Sequence, residues 1–175
     1  MKVNLSIAMT AFCLSGLFVF SASAQSKEAQ MLREAKVTMA QARQAALTRI
    51  PGNIESGKLE RENGKLWFEF EIHKAGSGAE AEIHIDAVTG EVGEVEEGKG
   101  GSSAKEGEMF NAAKVSWDAA EATALSRVAG SVVMGRLERE RGKIVYEFEI
   151  ITGDGKEEMV HIDAATGEVE STGKK

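Results

Sequence analysis

The chain contains the same sequence segment twice, and this duplication constrains its fold more than any other feature. Matching stretches stand 78 residues apart in the first part of each copy, as in residues 58–62 with 136–140 and 69–72 with 147–150. Later stretches stand 77 residues apart, as in residues 84–87 with 161–164, so one loop of the second copy is a residue shorter. We expect two homologous units, residues 28–95 and 108–171. The segment between them, residues 96–107, is rich in Gly, Ser, Glu and Lys, which predicts a flexible linker.

The first 24 residues have the pattern of a secretory signal peptide. Lys2 supplies the positive start, residues 7–20 are almost entirely apolar, and Ala22 and Ala24 are small residues suited to a cleavage site before Gln25. The apolar stretch has 14 residues, fewer than the roughly 20 that span a bilayer as a helix. An uncleaved N-terminal anchor is the alternative. We therefore expect residues 1–24 to be removed, leaving a periplasmic or secreted chain without a transmembrane segment.

The composition excludes several kinds of partner and site. With 28 acidic and 21 basic residues, the chain carries a formal net charge of −7, which argues against nucleic acid or an anionic membrane surface as the main partner. One cysteine and three histidines are too few for a zinc finger, an iron–sulfur cluster or a disulfide framework. We expect no cofactor.

Each unit is predicted to contain one helix followed by a small antiparallel sheet. Thr38 and Ser116 favour the N-cap of a helix, and alanine-rich sequence leads from them to Gly52 and Gly130, which favour its end. Alternating apolar and polar residues follow, interrupted by short glycine-containing turns, as in antiparallel strands. The expected fold class is α+β, with each helix packed on its own sheet.

The turns also predict the strand register. A two-residue turn at Asn63-Gly64, and at Arg141-Gly142 in the second unit, fixes the first hairpin, and a short Gly-containing loop fixes the next. This register aligns one charged triplet across three neighbouring strands of each unit, on the face away from the helix: Lys58, Glu69 and His84, and Arg136, Glu147 and His161.

The order of these features resembles the PepSY domain family. The shared features are a capped helix that ends at glycine, a strand, a polar turn before Gly-Lys, a Tyr/Phe-Glu-Phe-Glu-Ile strand, and Ile-Asp-Ala-x-Thr-Gly-Glu-Val. They occur twice, at about residues 36–95 and 114–171. The resemblance implies a small α+β module that is common in exported bacterial proteins and in propeptides of secreted metallopeptidases, with an inferred role in peptidase inhibition or regulation. It implies no catalytic residues.

No catalytic motif is present in the sequence. The chain lacks Gly-x-Ser-x-Gly, His-Glu-x-x-His and a phosphate-binding glycine loop. Asp86 and Asp163 stand where turns begin, so we interpret them as side-chain caps of those turns and not as a catalytic pair. The sequence therefore predicts a protein that is not an enzyme.

The helix-free face of the sheet is the candidate binding surface, and its residues are Trp67, Glu69, Glu71, His84, Glu147 and His161. One interpretation is a solvated ladder of ion pairs that fixes strand register. The other is a recognition surface in which Trp67 is the anchor. A weak divalent-metal site that combines His84 with Glu69, Glu71 and Glu82 is a further alternative.

Two functions are consistent with these features. The first is an exported interaction module that binds a peptide or protein, with inhibition or regulation of a peptidase as the role that the resemblance implies. It would use the open sheet face or an exposed edge strand. The alternative is an envelope protein that senses or buffers a small ligand or a metal through the carboxylate–histidine face.

Overall fold

The computed structural model describes residues 26–101 and 104–174, so the predicted signal peptide lies outside the described residues. The described parts contain four helices: α1 (Lys27–Glu34), α2 (Met39–Arg49), α3 (Ala104–Ala112) and α4 (Trp117–Arg127). They also contain eight strands: β1 (Gly52–Glu62), β2 (Lys65–Lys74), β3 (Ala79–Asp86), β4 (Val92–Gly101), β5 (Gly130–Glu140), β6 (Lys143–Thr152), β7 (Glu157–Asp163) and β8 (Val169–Lys174).

All eight strands form one antiparallel sheet in the order β4-β3-β2-β1-β5-β6-β7-β8. The two units therefore meet edge to edge through their first strands. This seam is short, because only Ser56, Gly57 and Lys58 of β1 pair with β5. Gly57 faces Gly135, its own equivalent in the second repeat, so a pseudo-two-fold axis passes between them. The α+β class and the two tandem units are confirmed, and one hydrophobic core extends through both units.

The helices α2 and α4 begin where the sequence predicts. The Thr38 side chain accepts a hydrogen bond from the Gln41 backbone N–H, and the Gln41 side chain accepts one from the Thr38 N–H, which completes a capping box. Small alanines face the sheet on each helix, and Ala42 and Ala46 are fully buried. Without longer side chains on that side, the helix lies close against the strands.

Two further helices, α1 and α3, precede the expected ones, and each reaches the opposite unit. Phe110 of α3 lies against His73 of the first unit, with 4.7 Å between the ring centroids. Glu28 of α1 has a carboxylate oxygen within 4.8 Å of oxygens of Glu149 and Glu157 in the second unit. Each helix thus lies against the opposite unit, which the repeat pattern alone does not indicate.

The prediction of a flexible linker at residues 96–107 is wrong for most of its length. Residues 96–101 continue β4, which pairs with the open edge of β3, and residues 104–107 belong to α3. The Lys74 ammonium lies 3.0 Å from the Glu97 carboxylate, which adds an ion pair at this edge. The backbone hydrogen bonds of the sheet are available to any sequence, so a glycine-rich and polar segment can also extend a strand.

Candidate functional site

The predicted strand register is confirmed in the first unit. Lys58 faces Glu69 on β2, and Glu69 faces His84 on β3. The Lys58 Nζ atom lies 2.9 Å from the Glu69 Oε1 atom, and the His84 Nε2 atom lies 3.5 Å from Glu69 Oε2. The three side chains form a continuous charged row across three strands.

The second unit repeats the row. Arg136 Nη2 lies 2.9 Å from Glu147 Oε1, and His161 Nε2 lies 2.9 Å from Glu147 Oε2. The Ser171 hydroxyl lies 2.9 Å from the second ring nitrogen of this histidine, at His161 Nδ1. The row therefore continues to β8 in this unit.

These rows are less exposed than the sequence predicts. His84 is 8% exposed and Glu147 is 6% exposed, although both lie on the face of the sheet opposite α2 and α4. Trp67 helps to cover His84, since their ring centroids are 5.9 Å apart. The Trp67 ring also lies over Gly93 on β4, where a side-chain Cβ would be only 2.5 Å from it. Trp67 is thus half-buried and packs on its own sheet, and its role as a binding anchor stays a prediction.

Glu69 of this row forms a pair of carboxyl groups with the neighbouring Glu60. The pKa of Glu69 is raised to about 7, mainly by burial and then by a hydrogen bond with the Glu60 side chain, against the opposing effect of Lys58. The same hydrogen bond is the main cause of a lowered pKa at Glu60. The two groups therefore share one proton over the weakly acidic range.

The two aspartates at the turns have the structural role that their positions predict. The Asp86 carboxylate accepts hydrogen bonds from the backbone N–H groups of Val88 and Thr89, at 2.8 Å and 2.9 Å. Asp163 does the same for Ala165 and Thr166. These bonds lower the pKa of both aspartates, because they stabilise the charged form.

A dense group of glutamate side chains lies together in a place that the sequence does not predict. The place is a cleft of about 340 Å³ on the face of the first unit opposite α2, beside α3, and we name it the acidic cleft. Of the proposed binding residues, only Glu71 lines it. Seven glutamates line the cleft: Glu55, Glu71, Glu80, Glu82, Glu96, Glu97 and Glu106. These residues are far apart in sequence and come from β1, β2, β3, β4 and α3, so no local motif indicates the cleft.

His73 lies next to the acidic cleft and is 3% exposed. Its Nε2 atom hydrogen-bonds to the Glu55 carboxylate, and its ring packs on Phe110. Ligand atoms of His73, Glu80 and Glu106 lie within 4.8 Å of one another, as do those of Glu69, Glu82 and His84. Imidazole together with carboxylates is a donor set that divalent transition metals accept. Either group could hold a cation.

The second unit shows that the fold does not require these acidic residues. Its equivalents of Glu55, His73, Glu82, Glu96 and Glu97 are, in the same order, Val133, Ile151, Met159, Gly173 and Lys174. Three of the seven glutamates are kept, because the equivalents of Glu71, Glu80 and Glu106 are Glu149, Glu157 and Glu28, which also lie close together. The other four are replaced, so the negative charge at this position is greater in the first unit. An alignment of the two copies at their offsets contains this asymmetry and is the signal that could have found the cleft.

The described residues do not form a membrane-spanning helix, since none of their helices has the necessary length and apolar character.

In comparisons with known proteins, the uncharacterized protein YkoJ of Bacillus subtilis (strain 168) is 26% identical over 174 residues, which cover 97% of this chain and 95% of that protein. A crystal structure of a Clostridium difficile 630 protein described as a lipoprotein covers 83% of this chain and 97% of its own, with 22% identity and a TM-score of 0.46. The YpmB protein from Bacillus subtilis covers 78% of this chain and 95% of its own, with 14% identity and a TM-score of 0.34.

The family comparison covers most of the chain and agrees with the repeat. The model of the PepSY family, described as "Peptidase propeptide and YPEB domain", matches residues 36–96 and again residues 114–172. Each match contains one of the helices α2 and α4, the three strands that follow it and the first part of the fourth strand. The chain therefore belongs to the PepSY family and carries the domain twice.

Proposed function

We propose that this protein is an exported, non-enzymatic interaction module that binds a positively charged segment of a peptide or protein in the acidic cleft. The observation that carries the proposal is the asymmetry between the units. Seven glutamates line the cleft of the first unit, whereas the second unit builds the same fold with apolar residues, glycine or lysine at four of the equivalent positions and keeps glutamate at three. Crowded carboxylates repel one another, so a selective reason for keeping them is a cationic partner.

The geometry of the acidic cleft suits an extended segment. Glu82 on β3 faces Glu96 on β4 and Glu71 on β2, so carboxylates form a row across three strands. Strand β4 is an edge strand, and its outer backbone groups are available to a partner. A lysine- or arginine-containing segment that lies along β4 would combine backbone hydrogen bonds with ion pairs.

The proposal is tested by calorimetry with a capped alternating Ala-Lys octapeptide on the full chain. The variant Glu82→Gln/Glu96→Gln removes two facing charges from the cleft, and we expect it to weaken binding about fivefold to tenfold. The control Glu168→Gln/Glu170→Gln removes the same number of charges at the far end of the sheet and should leave binding within about twofold. Equal losses in both variants, or no binding by either the wild type or the variants, would contradict the proposal.

The family description supports a more specific version, in which the cationic segment belongs to a peptidase. If so, the wild-type chain should slow an envelope peptidase that co-purifies with it, and the Glu82→Gln/Glu96→Gln variant should slow it less. Inhibition that is the same for both proteins would separate peptidase regulation from the acidic cleft.

A divalent cation is the second candidate ligand, favoured by the group of His73, Glu80 and Glu106. Calorimetry with Zn²⁺ or Ca²⁺ in the absence of peptide distinguishes the two functions. Micromolar metal binding that is abolished in Glu80→Gln/Glu106→Gln, together with no binding of the Ala-Lys peptide, would favour the metal function.

A further inference from the structure

Two clefts lie where the units meet, and the repeat relates them residue by residue. The first has a volume of about 370 Å³, and we name it the Trp117 cleft; its apolar walls include Leu47, Ile54, Phe110, Trp117 and Tyr146. The second has a volume of about 410 Å³, and its walls include Leu125, Val132, Leu32 and Met39, which are the equivalents of the first four. The fold thus builds equivalent clefts in both units, and the side chains that line them differ: Trp117 and Phe110 in the first correspond to Met39 and Leu32 in the second.

One wall residue of the Trp117 cleft carries a buried hydrogen-bond donor that no other described residue satisfies. Trp117 is 7% exposed, and among the described residues its indole Nε1–H has no hydrogen-bond partner. The neighbouring Tyr146 hydroxyl donates to the Val115 carbonyl at 2.9 Å, so this second polar group of the cleft is satisfied. A buried donor without an acceptor destabilises a fold and is rare in proteins.

Packing alone does not explain the tryptophan. The equivalent residue of the first repeat is Met39, which is 2% exposed and fills its site without any polar hydrogen. Trp117 packs edge-on against Tyr146 and Phe148, with ring centroids 5.7 Å and 5.4 Å apart. Phenylalanine could make much of this packing as well. The indole N–H is therefore an addition that the fold does not need.

The charge of the Trp117 cleft indicates what kind of group could satisfy this donor. Arg43 lies over the Trp117 ring, 5.9 Å from its centroid, and forms ion pairs with Asp118 and Glu121. Lys114 also lines the cleft, and its positive charge balances the one excess carboxylate of this group, so the cleft has no net charge and little attraction for a free anion. An uncharged acceptor between apolar walls is the complementary ligand.

We propose that the Trp117 cleft binds a short, uncharged, extended peptide segment. An aliphatic side chain of the segment lies between Leu47, Ile54 and Phe110, and a backbone carbonyl oxygen accepts the hydrogen bond from Trp117 Nε1–H. The N–H is closed off from solvent in the free protein, so the indole or Arg43 must shift for the carbonyl to reach it. The site differs from the acidic cleft in ligand charge and in lining, so it does not depend on the function proposed above.

The test uses the ¹⁵N-labelled full chain and the uncharged probe N-acetyl-Ala-Leu-Ala-Leu-amide. The chain has two tryptophans, so two indole N–H signals are expected, and the variant Trp117→Phe assigns them. We expect the probe to move the Trp117 signal to higher proton frequency while the Trp67 signal stays in place. No movement of the Trp117 signal up to the solubility limit of the probe, or movement of the Trp67 signal alone, overturns the proposal.

Two variants separate the donor from the packing. Trp117→Phe keeps a ring but removes the N–H, and we expect about tenfold weaker probe binding, followed through the backbone amides of Asn53 and Ala113, in a chain that stays folded with some loss of thermal stability from the smaller ring. Trp117→Met copies the first repeat and should show the same loss. Unchanged affinity in Trp117→Phe overturns the role of the donor, and with it the proposal. Variants at Glu82 and Glu96 should not alter binding of this uncharged probe.

Discussion

Arg43 and Glu121 occupy the same position in the two repeats, 78 residues apart, and they form a buried ion pair with each other. The pseudo-two-fold axis brings α2 and α4 together at this point. Two identical units would place two arginines or two glutamates here, and like charges would repel. Divergence of one position into a complementary pair therefore favours the association of one unit with the other over the association of two identical units.

We expect loss of Arg43 to be among the most damaging single substitutions in the helices. In Arg43→Ala, Glu121 keeps a buried charge without its main partner, since its side chain is only 8% exposed, and the free energy of unfolding should fall by about 3–5 kcal/mol. The double variant Arg43→Glu/Glu121→Arg should recover most of this loss, because it reverses the pair. Urea unfolding of the full chain measures both.

The neighbouring Asp118 supplies the control for this prediction. It also pairs with Arg43, but its side chain is 79% exposed, so Asp118→Asn should reduce the free energy of unfolding by less than about 1 kcal/mol. A loss in Arg43→Ala as small as that in Asp118→Asn would show that the buried pair does not hold the units together.

The shared proton of Glu60 and Glu69 predicts a pH-dependent stability. The pKa of Glu69 is raised in the folded state from an ordinary value of 4.5 to about 7, so the folded protein binds more protons than the unfolded protein between these values. The resulting stabilisation is fully present below about pH 4.5 and is lost as the pH rises through 7. Because the pair is partly solvated, we expect a total change on the order of 1 kcal/mol.

Urea unfolding at several pH values from about 5 to about 8 checks this dependence in the wild type and in Glu69→Gln. The amide cannot titrate, so the variant should show a smaller decline in stability toward high pH. The two proteins should differ least at the acidic end, where Glu69 is protonated. Parallel curves for the wild type and the variant across the whole range would exclude Glu69 as the titrating group.

The sequence was sufficient for the register, because register depends on local turns and on period-two alternation. The two-residue turn at Asn63-Gly64 places Lys58 opposite Glu69, and the next loop places Glu69 opposite His84. The second unit keeps the equivalent of the latter pair, Glu147 and His161, although its loop is one residue shorter. Turn length and alternation depend only on residues that are neighbours in the sequence, so both can be determined without knowledge of the tertiary structure.

Contacts between units were not predictable in this way. Arg43 lies on a helix where a polar residue is ordinarily solvated, and nothing near it in sequence indicates Glu121. The acidic cleft likewise combines residues from four strands and α3, and its position depends on how β4 continues past Glu96. The burial of His84 depends on the direction of the Trp67 ring, which alternation does not determine.

Two glycines at the pseudo-two-fold axis should not tolerate a side chain. A Cβ at Gly57 would lie 2.6 Å from the Phe70 ring, and one at Gly135 would lie 2.6 Å from the Trp117 ring. Because both rings are held in the core, we expect Gly57→Ala and Gly135→Ala each to reduce the free energy of unfolding by about 1–3 kcal/mol.

Gly107→Ala is the matched control, since it places the same methyl group in α3 with no atom within 4 Å. Alanine favours a helix over glycine, so this variant should be neutral or more stable by about 0.5–1 kcal/mol. Thermal unfolding of the three variants compares them directly. Equal stability of Gly107→Ala and Gly57→Ala would argue against tight packing at the axis.

The seam itself makes the sharpest geometric prediction, because only three residue pairs join the two units through the sheet. Lys58 faces Met134, so the Cα atoms of cysteines at these positions should lie about 4.5–5.5 Å apart, which is within the range for a disulfide. Ser56 faces Arg136 instead, so Ser56→Cys/Met134→Cys is two residues out of register, at about 7–8 Å, and should cross-link poorly.

Both pairs are made in a Cys13→Ser background, and mass spectrometry of non-reduced proteolytic fragments detects the cross-link. We expect Lys58→Cys/Met134→Cys to oxidise readily and to stabilise the chain by about 2–4 kcal/mol. Preferential cross-linking of the second pair would mean that the strands meet in another register and that Gly57 does not face Gly135.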